Sequence, residues 1–393
     1  MSHQANVPTG PLSVRKVESA SDLKAFVEFP WTVYKGDPNW VPPLLSQRKA
    51  LLDRKKNPGW DYMEGDLFVA YRGSQPVGTV SAVINHNHNK FWKENIGWFG
   101  FFECFDDQEV ANALLQTATD HVKKLGATEG MRGPASFSLY DEFGLLIEGF
   151  ERPVILMPYT QPYYPGLVEN SGMGFTKSMD FFSWYTNKDR MMEGGQPLPK
   201  LARVVEKTKN RNGITLRAPD PRKLREEVGV LQRLWDICWE KNWGFYPLTD
   251  READKLFHDL KDFVDVNLAR FAVKDGKDVG FVLGLPDLNQ ALYYAYPRPG
   301  VPEIWSLLKV LWFWKIRRKV HGLRVILLGV EPELRARGIE AALNLEFLQS
   351  ATGAGYYDAD FGWVLEVNQP MNGLAQAFKA DLYRRYRMYQ RPL

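Results

Sequence analysis

The sequence predicts an α/β protein made of two copies of one unit, each a twisted mixed sheet flanked by helices. Three observations carry that reading. Apolar runs of strand length alternate with segments of helical period. The stretch Arg324–Gly355 reads as strand, turn and helix in succession. Segments of the first half also recur about half a chain length later, the signature of an internal duplication.

Residues 1–12 are expected to be a disordered lead-in, followed by a first domain over 13–186, a linker over 187–200 and a second domain over 201–393. Ser13–Val17 reads as a short strand, and Ser21 and Asp22 as the cap of a helix running to about Tyr34, stopped by Gly36-Asp37-Pro38. Asp37–Pro43 is a rigid turn, and a polar helix follows to about Lys56. Asp66–Arg72 and Pro76–Asn85 flank Gly73-Ser74-Gln75 as a hairpin. Ile96–Phe105 is an aromatic-rich strand, and Gln108–Leu125 a helix ended by Gly126. The repeat appears here: Phe68–Gly78 matches Phe271–Gly280, and Ser13–Tyr34 matches Ile214–Trp239. The polar, Gly- and Pro-containing 187–200 lacks periodicity and suits the join.

In the second half, Val325, Ile326, Leu327 and Leu328 form a buried strand, and a helix is expected from near Arg335 to Gly353 or Gly355. Arg335, Arg337 and Gly338 fall where a helix's first N–H groups have no internal partner. Unpaired donors, the positive end of the helix dipole and two guanidinium groups together make a pyrophosphate cradle. Glu303–His321 is a further helix with no counterpart in the first half. Its wide apolar face is expected first to be buried between the halves; with the basic cluster Lys315, Arg317, Arg318 and Lys319 it also suits a membrane surface or the roof of an acyl-chain tunnel. It is short for a membrane span.

Composition narrows the class. A 393-residue chain, 45% hydrophobic and 25% charged, is ordinary for a globular protein with two cores. A net charge of +3 excludes avid polyanion binding by charge alone. Two cysteines, Cys104 and Cys238, make neither a disulfide framework nor a zinc cluster and are expected as buried thiols. His86 and His88 alternate in an Asn-rich turn without the carboxylate a metal site would want, so no metal is expected. The N-terminal stretch lacks a basic-then-apolar signal, and the expected location is the cytoplasm, with membrane association open.

Arg335-Ala336-Arg337-Gly338-Ile339 resembles the R-x-x-G-x-G/A loop with which GNAT-fold acyltransferases hold the pyrophosphate of acyl-CoA. Trp363–Asn368 resembles the next strand of that fold, with its Asn at Asn368. Asp37–Pro43, Gly133–Leu146 and Leu365–Tyr389 further resemble segments of a bacterial tandem-GNAT family, some of whose members are linked to N-acylation of sphingoid bases. The resemblance implies an acyl-CoA or acetyl-CoA donor contacted by Leu328, Val330, Arg335, Arg337, Gly338, Ile339 and Asn368, and an amine acceptor between the halves. One departure stands out: Glu340 occupies a position the motif gives to Gly or Ala, where a carboxylate opposes an anionic ligand unless it turns away.

Acyl transfer to an amine needs a base for the amine's proton and an acid for the leaving thiolate. The family's usual acid, a Tyr after the motif Asn, falls at Ala375, so Tyr383 is the expected substitute. Glu366, at the end of an apolar strand, is the expected base, with helix capping as its other reading and Asp358 and Asp360 as second choices. In the first half, the acidic loop Ser138–Gly144 suits an ammonium-bearing acceptor, with Glu142 as anchor or alternative base and Tyr140, Asp141 and Tyr164 lining the cleft. The first-half turn carries Asp106 and Glu109 as a capping box, which puts like charge where a pyrophosphate would sit. One donor site per chain is therefore expected, in the second half. An aminoacyl-tRNA-dependent transferase and a non-catalytic acyl-CoA-binding protein are the competing functions.

Overall fold

The computed structural model describes residues 8–193, 196–197, 199–260 and 265–393; residues 1–7 of the expected lead-in and residues 194, 195 and 198 of the expected linker lie outside them. The chain forms two compact units. One comprises Met1–Phe181, Leu292–Trp312 and Arg384–Leu393; the other comprises Phe182–Ala291 and Phe313–Tyr383. Both are therefore discontinuous in sequence, whereas the repeat alone suggested one cut. The segment 292–312, expected inside the second domain, belongs to the first unit.

Each unit contains the same five-strand pattern. In the first, β1 (Leu12–Lys16), β2 (Met63–Arg72), β3 (Gln75–Asn85), β4 (Ile96–Cys104) and β5 (Gly130–Gly133) lie side by side in that order. In the second, the sequence is β6 (Ile214–Arg217), β7 (Ala269–Lys274), β8 (Lys277–Pro286), β9 (Gly322–Val330) and β10 (Asp358–Leu365). The first three pairings in each unit are antiparallel and the last is parallel. A parallel pair needs a crossover, supplied by α1 (Gln108–Lys124) in the first unit and α2 (Ile339–Gly353) in the second. Register confirms the equivalence, since Gly78 pairs with Cys104 and Gly280 with Val330.

The helices pack by burying one face on their sheet. α1 buries Val110, Leu114, Leu115, Ala118 and Val122, and it comes so close that a Cβ at Gly97 would lie 2.4 Å from Val122. α2 buries Ile339, Ala342, Leu343, Leu345, Phe347, Leu348 and Ala351. Cys104 and Cys238 are both buried free thiols.

Several boundaries differ from the sequence reading. The first helix spans Ala20–Glu28, with Ser19 rather than Ser21 as its cap, in a reciprocal box with Asp22. α2 starts at Ile339, four residues beyond Arg335, because Pro332–Leu334 forms a separate 3-10 turn. The helix expected over 303–321 spans Glu303–Leu311 and continues only as a π-helical turn, Trp312–Ile316.

Candidate functional site

The second unit opens where the first is closed. β9 and β10 pair in parallel only from Gly322 with Asp358 to Val325 with Phe361. Beyond Val325 the β10-facing edge of β9 has no strand partner among the described residues, and Ile326, Leu327 and Leu328 are half-buried between buried neighbours. On its other edge β9 stays paired with β8 as far as Val330. Such a splay leaves backbone N–H and C=O groups that an extended amide-containing ligand can use.

In the first unit the corresponding gap is filled. β4 pairs with β5 through Trp98 and Arg132, after which the Ala135 N–H donates to the Phe99 carbonyl at 2.8 Å. The chain there passes so near β4 that a Cβ at Gly100 would sit 1.8 Å from the Ala135 carbonyl oxygen. Phe137 is fully buried behind it, edge-on to Phe101 with ring centroids 5.0 Å apart.

The helix starts differ in the same sense. α1 is capped by Asp107, one residue beyond the expected Asp106; its Oδ1 accepts from Glu109 N at 3.0 Å and Val110 N at 3.2 Å. Arg72 closes the turn from outside, donating to Asp107 Oδ2 at 2.7 Å and Glu109 Oε2 at 2.6 Å. α2 instead starts on Gly338, at φ +83 and with no side-chain cap. Glycine adopts that backbone region without strain. The residues around it only partly match the expected cradle. Arg335 donates Nε to the Val330 carbonyl at 3.1 Å and Nη2 to the Cys238 carbonyl at 2.7 Å, so it braces the turn. Arg337 is exposed. Glu340 turns inward: burial pushes its carboxyl up, while its own N–H, the Arg335 charge and the Ala336 N–H pull it down. It thus lies at the donors a phosphate would use. Ile339 is fully buried behind the turn, and Leu328 and Val330 are held in the β8–β9 ladder.

Asn368 caps the helix Gln369–Ala377, accepting from Met371 N at 3.3 Å. That answers the alternative for Glu366: the cap is Asn368. Glu366 is half-buried just past β10, and its carbonyl accepts from Asn372 Nδ2 at 3.3 Å. Ala375, at the position of the missing phenol, is buried in the same helix. Tyr383 donates to Asp360 Oδ2 at 2.5 Å, and Ser183 donates to the same oxygen. Asp360 is buried on β10 beside Arg324, its register partner on β9. Asp358, the other second-choice base, accepts from the Tyr185 hydroxyl at 2.6 Å. Sequence reasoning named Tyr383 and Asp360 separately and missed Ser183, which no spacing links to either.

The acidic loop of the first unit is internally satisfied. Ser138 Oγ donates to Asp141 Oδ2 at 2.9 Å and accepts from Tyr140 N at 3.1 Å. Glu142 accepts from Arg48 Nη1 at 3.1 Å and Nη2 at 3.5 Å. Tyr164 is not beside this loop's carboxylates; it is fully buried and donates to Glu103 Oε2 at 2.7 Å. Tyr34 donates to that oxygen too, at 2.8 Å, and stacks on Trp40 at 5.1 Å. Burial pushes Glu103 up to about 7, against the pull of the two tyrosine donors and the Arg48 charge. Sequence reasoning passed over Glu103, which lay inside the strand expected over Ile96–Phe105. A lone carboxylate in the run Ile96–Cys104 was the available signal.

No family model matches the chain. Protein YghO of Escherichia coli is 32% identical over 388 residues, covering 97% of this chain and 95% of its own. The bacterial ceramide synthase of Caulobacter vibrioides is also 32% identical over 388 residues, covering 97% of this chain and 98% of its own. Among solved structures, a tandem GNAT protein from the clavulanic acid biosynthesis pathway matches with a TM-score of 0.56 at 12% identity, covering 97% of this chain and 98% of that one. A GCN5-related N-acetyltransferase from Sphaerobacter thermophilus matches with a TM-score of 0.53 at 13% identity, covering 98% and 97%. At those identities the solved structures establish the fold.

Proposed function

The chain belongs to the tandem GNAT-fold acyltransferases, and from that premise we propose that it moves an acyl group from acyl-CoA to the primary amine of a lipid-like acceptor, with the donor bound by the second unit. The observation that carries the placement is the asymmetry between the two helix starts. In the first unit Asp107 and Arg72 occupy the N-terminus of α1, and the strand gap is filled. In the second, Gly338 leaves the N-terminus of α2 without a side-chain cap, and among the described residues β9 has no strand partner on its β10 edge from Ile326 to Leu328. A pyrophosphate needs such N–H donors, and a pantetheine arm such a strand edge. Gly338, Ile339 and the exposed Arg337 would hold the pyrophosphate, and the backbone of Leu328 and Val330 the arm. Arg335 supports the turn from beneath. Glu340 must move aside or be neutralised for a phosphate to enter.

In the reaction the acceptor nitrogen attacks the thioester carbonyl, the C–S bond breaks, and the amine's proton leaves as the amide forms. Glu366 is the proposed proton acceptor. Tyr383 is the proposed donor to the departing thiolate; its O–H points at Asp360 here, so acid function requires rotation about the phenol C–O bond. Glu142 is the weaker base, being already paired with Arg48. The Caulobacter relative's name supports a sphingoid amine as acceptor.

Release of free thiol from palmitoyl-CoA and from acetyl-CoA, each with sphinganine or a short alkylamine, tests the reading. Expected is thiol release that depends on sphinganine, with an amide product of matching mass. Tight CoA binding without transfer to any amine, or salt-sensitive tRNA binding without CoA binding, would sink it.

A further inference from the structure

The segment Leu292–Trp312 of the first unit presents an apolar surface that its own packing does not cover. The helix Glu303–Leu311 is firmly seated: Ser306 and Val310 are buried, and Glu303 accepts from both the backbone N–H and the hydroxyl of Ser46. Just before it, Trp31 donates Nε1 to the Pro297 carbonyl at 2.8 Å. The opposite side of the helix is bare. Trp305 is 60% exposed, Ile304 55% and Trp312 53%, and Leu307, Leu308 and Leu311 are exposed with them. At about 100° per residue these positions span an arc of about 160°, wider than a helix seam usually is. Soluble proteins seldom leave such a surface in water without a use for it.

Charge decides what covers it. Within this unit, Ile304–Trp312 contains no Asp or Glu, while Arg298 and Lys309 are exposed. Beside the helix lies a concavity of about 140 Å³ lined by Tyr294, Tyr296, Arg298, Trp305, Ser306 and Lys309. Two cations, two phenols and a hydroxyl around so small a space suit a phosphate monoanion or diester. Aromatic rings at its rim suit the boundary between headgroups and acyl chains. A second copy of the chain fits poorly, because a two-fold contact through this face would bring Arg298 and Lys309 near their own symmetry mates. No described helix is long and apolar enough to cross a membrane. Nine helical residues reach only about 14 Å, so this helix lies along a surface.

We infer that the first unit docks on an anionic phospholipid bilayer through this face. Ile304, Trp305, Leu308, Leu311 and Trp312 enter the headgroup–acyl boundary, and Arg298 and Lys309 hold a lipid phosphate in the adjoining concavity. The inference does not rest on the acyl-transfer reading, and its test uses no acyl donor.

The full chain is sedimented with vesicles of phosphatidylcholine alone and of phosphatidylcholine with phosphatidylglycerol, at low and high salt. Expected is partition onto the anionic vesicles at least about tenfold above that onto the neutral ones, falling with salt. Trp305→Glu with Leu308→Glu should abolish binding to both. Arg298→Gln with Lys309→Gln should remove the anionic preference alone, a separate readout should the first variant fold badly. A wild-type chain that stays in the supernatant with both vesicles overturns the proposal. So does unchanged partition in the correctly folded variants. A dimer in vesicle-free sedimentation velocity that Trp305→Glu returns to monomer would assign the face to a second copy instead.

Discussion

In the first copy the crossover helix begins on Asp107, whose carboxylate takes the N–H groups of Glu109 and Val110 and is itself held by Arg72. In the second copy the equivalent helix begins on Gly338 with no side-chain cap, and beyond Val325 the strand before it is paired on its β8 edge only among the described residues. The strand order, the parallel last pair and the helix that joins it are common to both. Duplication thus preserved the scaffold, which is set by burial, while the mouth of the scaffold diverged through a few side chains. A helix start satisfied by its cap carboxylate has no donor left for an anion, whereas one starting on glycine does once Glu340 is withdrawn.

The largest expected effect concerns Glu103, which corresponds in register to Gly329 of the second copy. Burial raises its pKa from 4.5 to about 7 in the folded chain. The native state then holds a proton that the unfolded chain releases, so this group lowers stability as pH rises through that window. The total is about 3 kcal/mol, complete above the folded value. Urea denaturation at pH 5 and pH 8 should show this loss in the wild type and its disappearance in Glu103→Gln; an unchanged pH difference would remove Glu103 as its source.

Next comes the donor loop. Gly338→Arg forces a side chain into a left-handed position 3.0 Å from Thr208 Oγ1. Calorimetry should show at least about a tenfold rise in the acyl-CoA dissociation constant, about 1.4 kcal/mol. Asp107→Ala, at the matching place in the first copy, should cost about 1 kcal/mol of stability through the lost cap and leave donor affinity unchanged. Equal losses of affinity at both loops would end the one-site comparison. The smallest effect is expected from Glu340→Gln, which withdraws a negative charge from the cradle. Donor affinity should improve by a few-fold, about 0.5–1 kcal/mol, and weaker binding in that variant would mean the carboxylate supports the loop instead.

Much of the fold was legible before any coordinates. Val325 to Leu328 announced a buried strand, the repeat of Phe68–Gly78 at Phe271–Gly280 announced the duplication, and the acidic turn, read one residue early at Asp106 and Glu109, differed visibly from Arg335–Gly338. These are local signals, in which hydrophobic period and helix-start chemistry act within a few residues. The candidate site was only half legible. Tyr383 and Asp360 were both named, but nothing in the spacing joined them to each other or to Ser183. Arg335 looked like a phosphate ligand because its two carbonyl partners, Val330 and Cys238, lie 5 and 97 residues away. The helix at 303 was expected to be buried between the halves, and its apolar face proved exposed.

Sequence alone determined the succession of strands and helices within each copy and the copy whose helix start lacks a carboxylate cap, because those follow from periodicity and from which residue type sits at a turn. The class of chemistry came from the family resemblance of Arg335–Ile339 and Trp363–Asn368. Tertiary structure decided the rest: which carboxylates are shared, which guanidinium is spent on carbonyls, and which residues make up each compact unit. Those outcomes depend on groups brought together from distant parts of the chain, where hydrogen-bond demand and burial are settled by neighbours that no local pattern names.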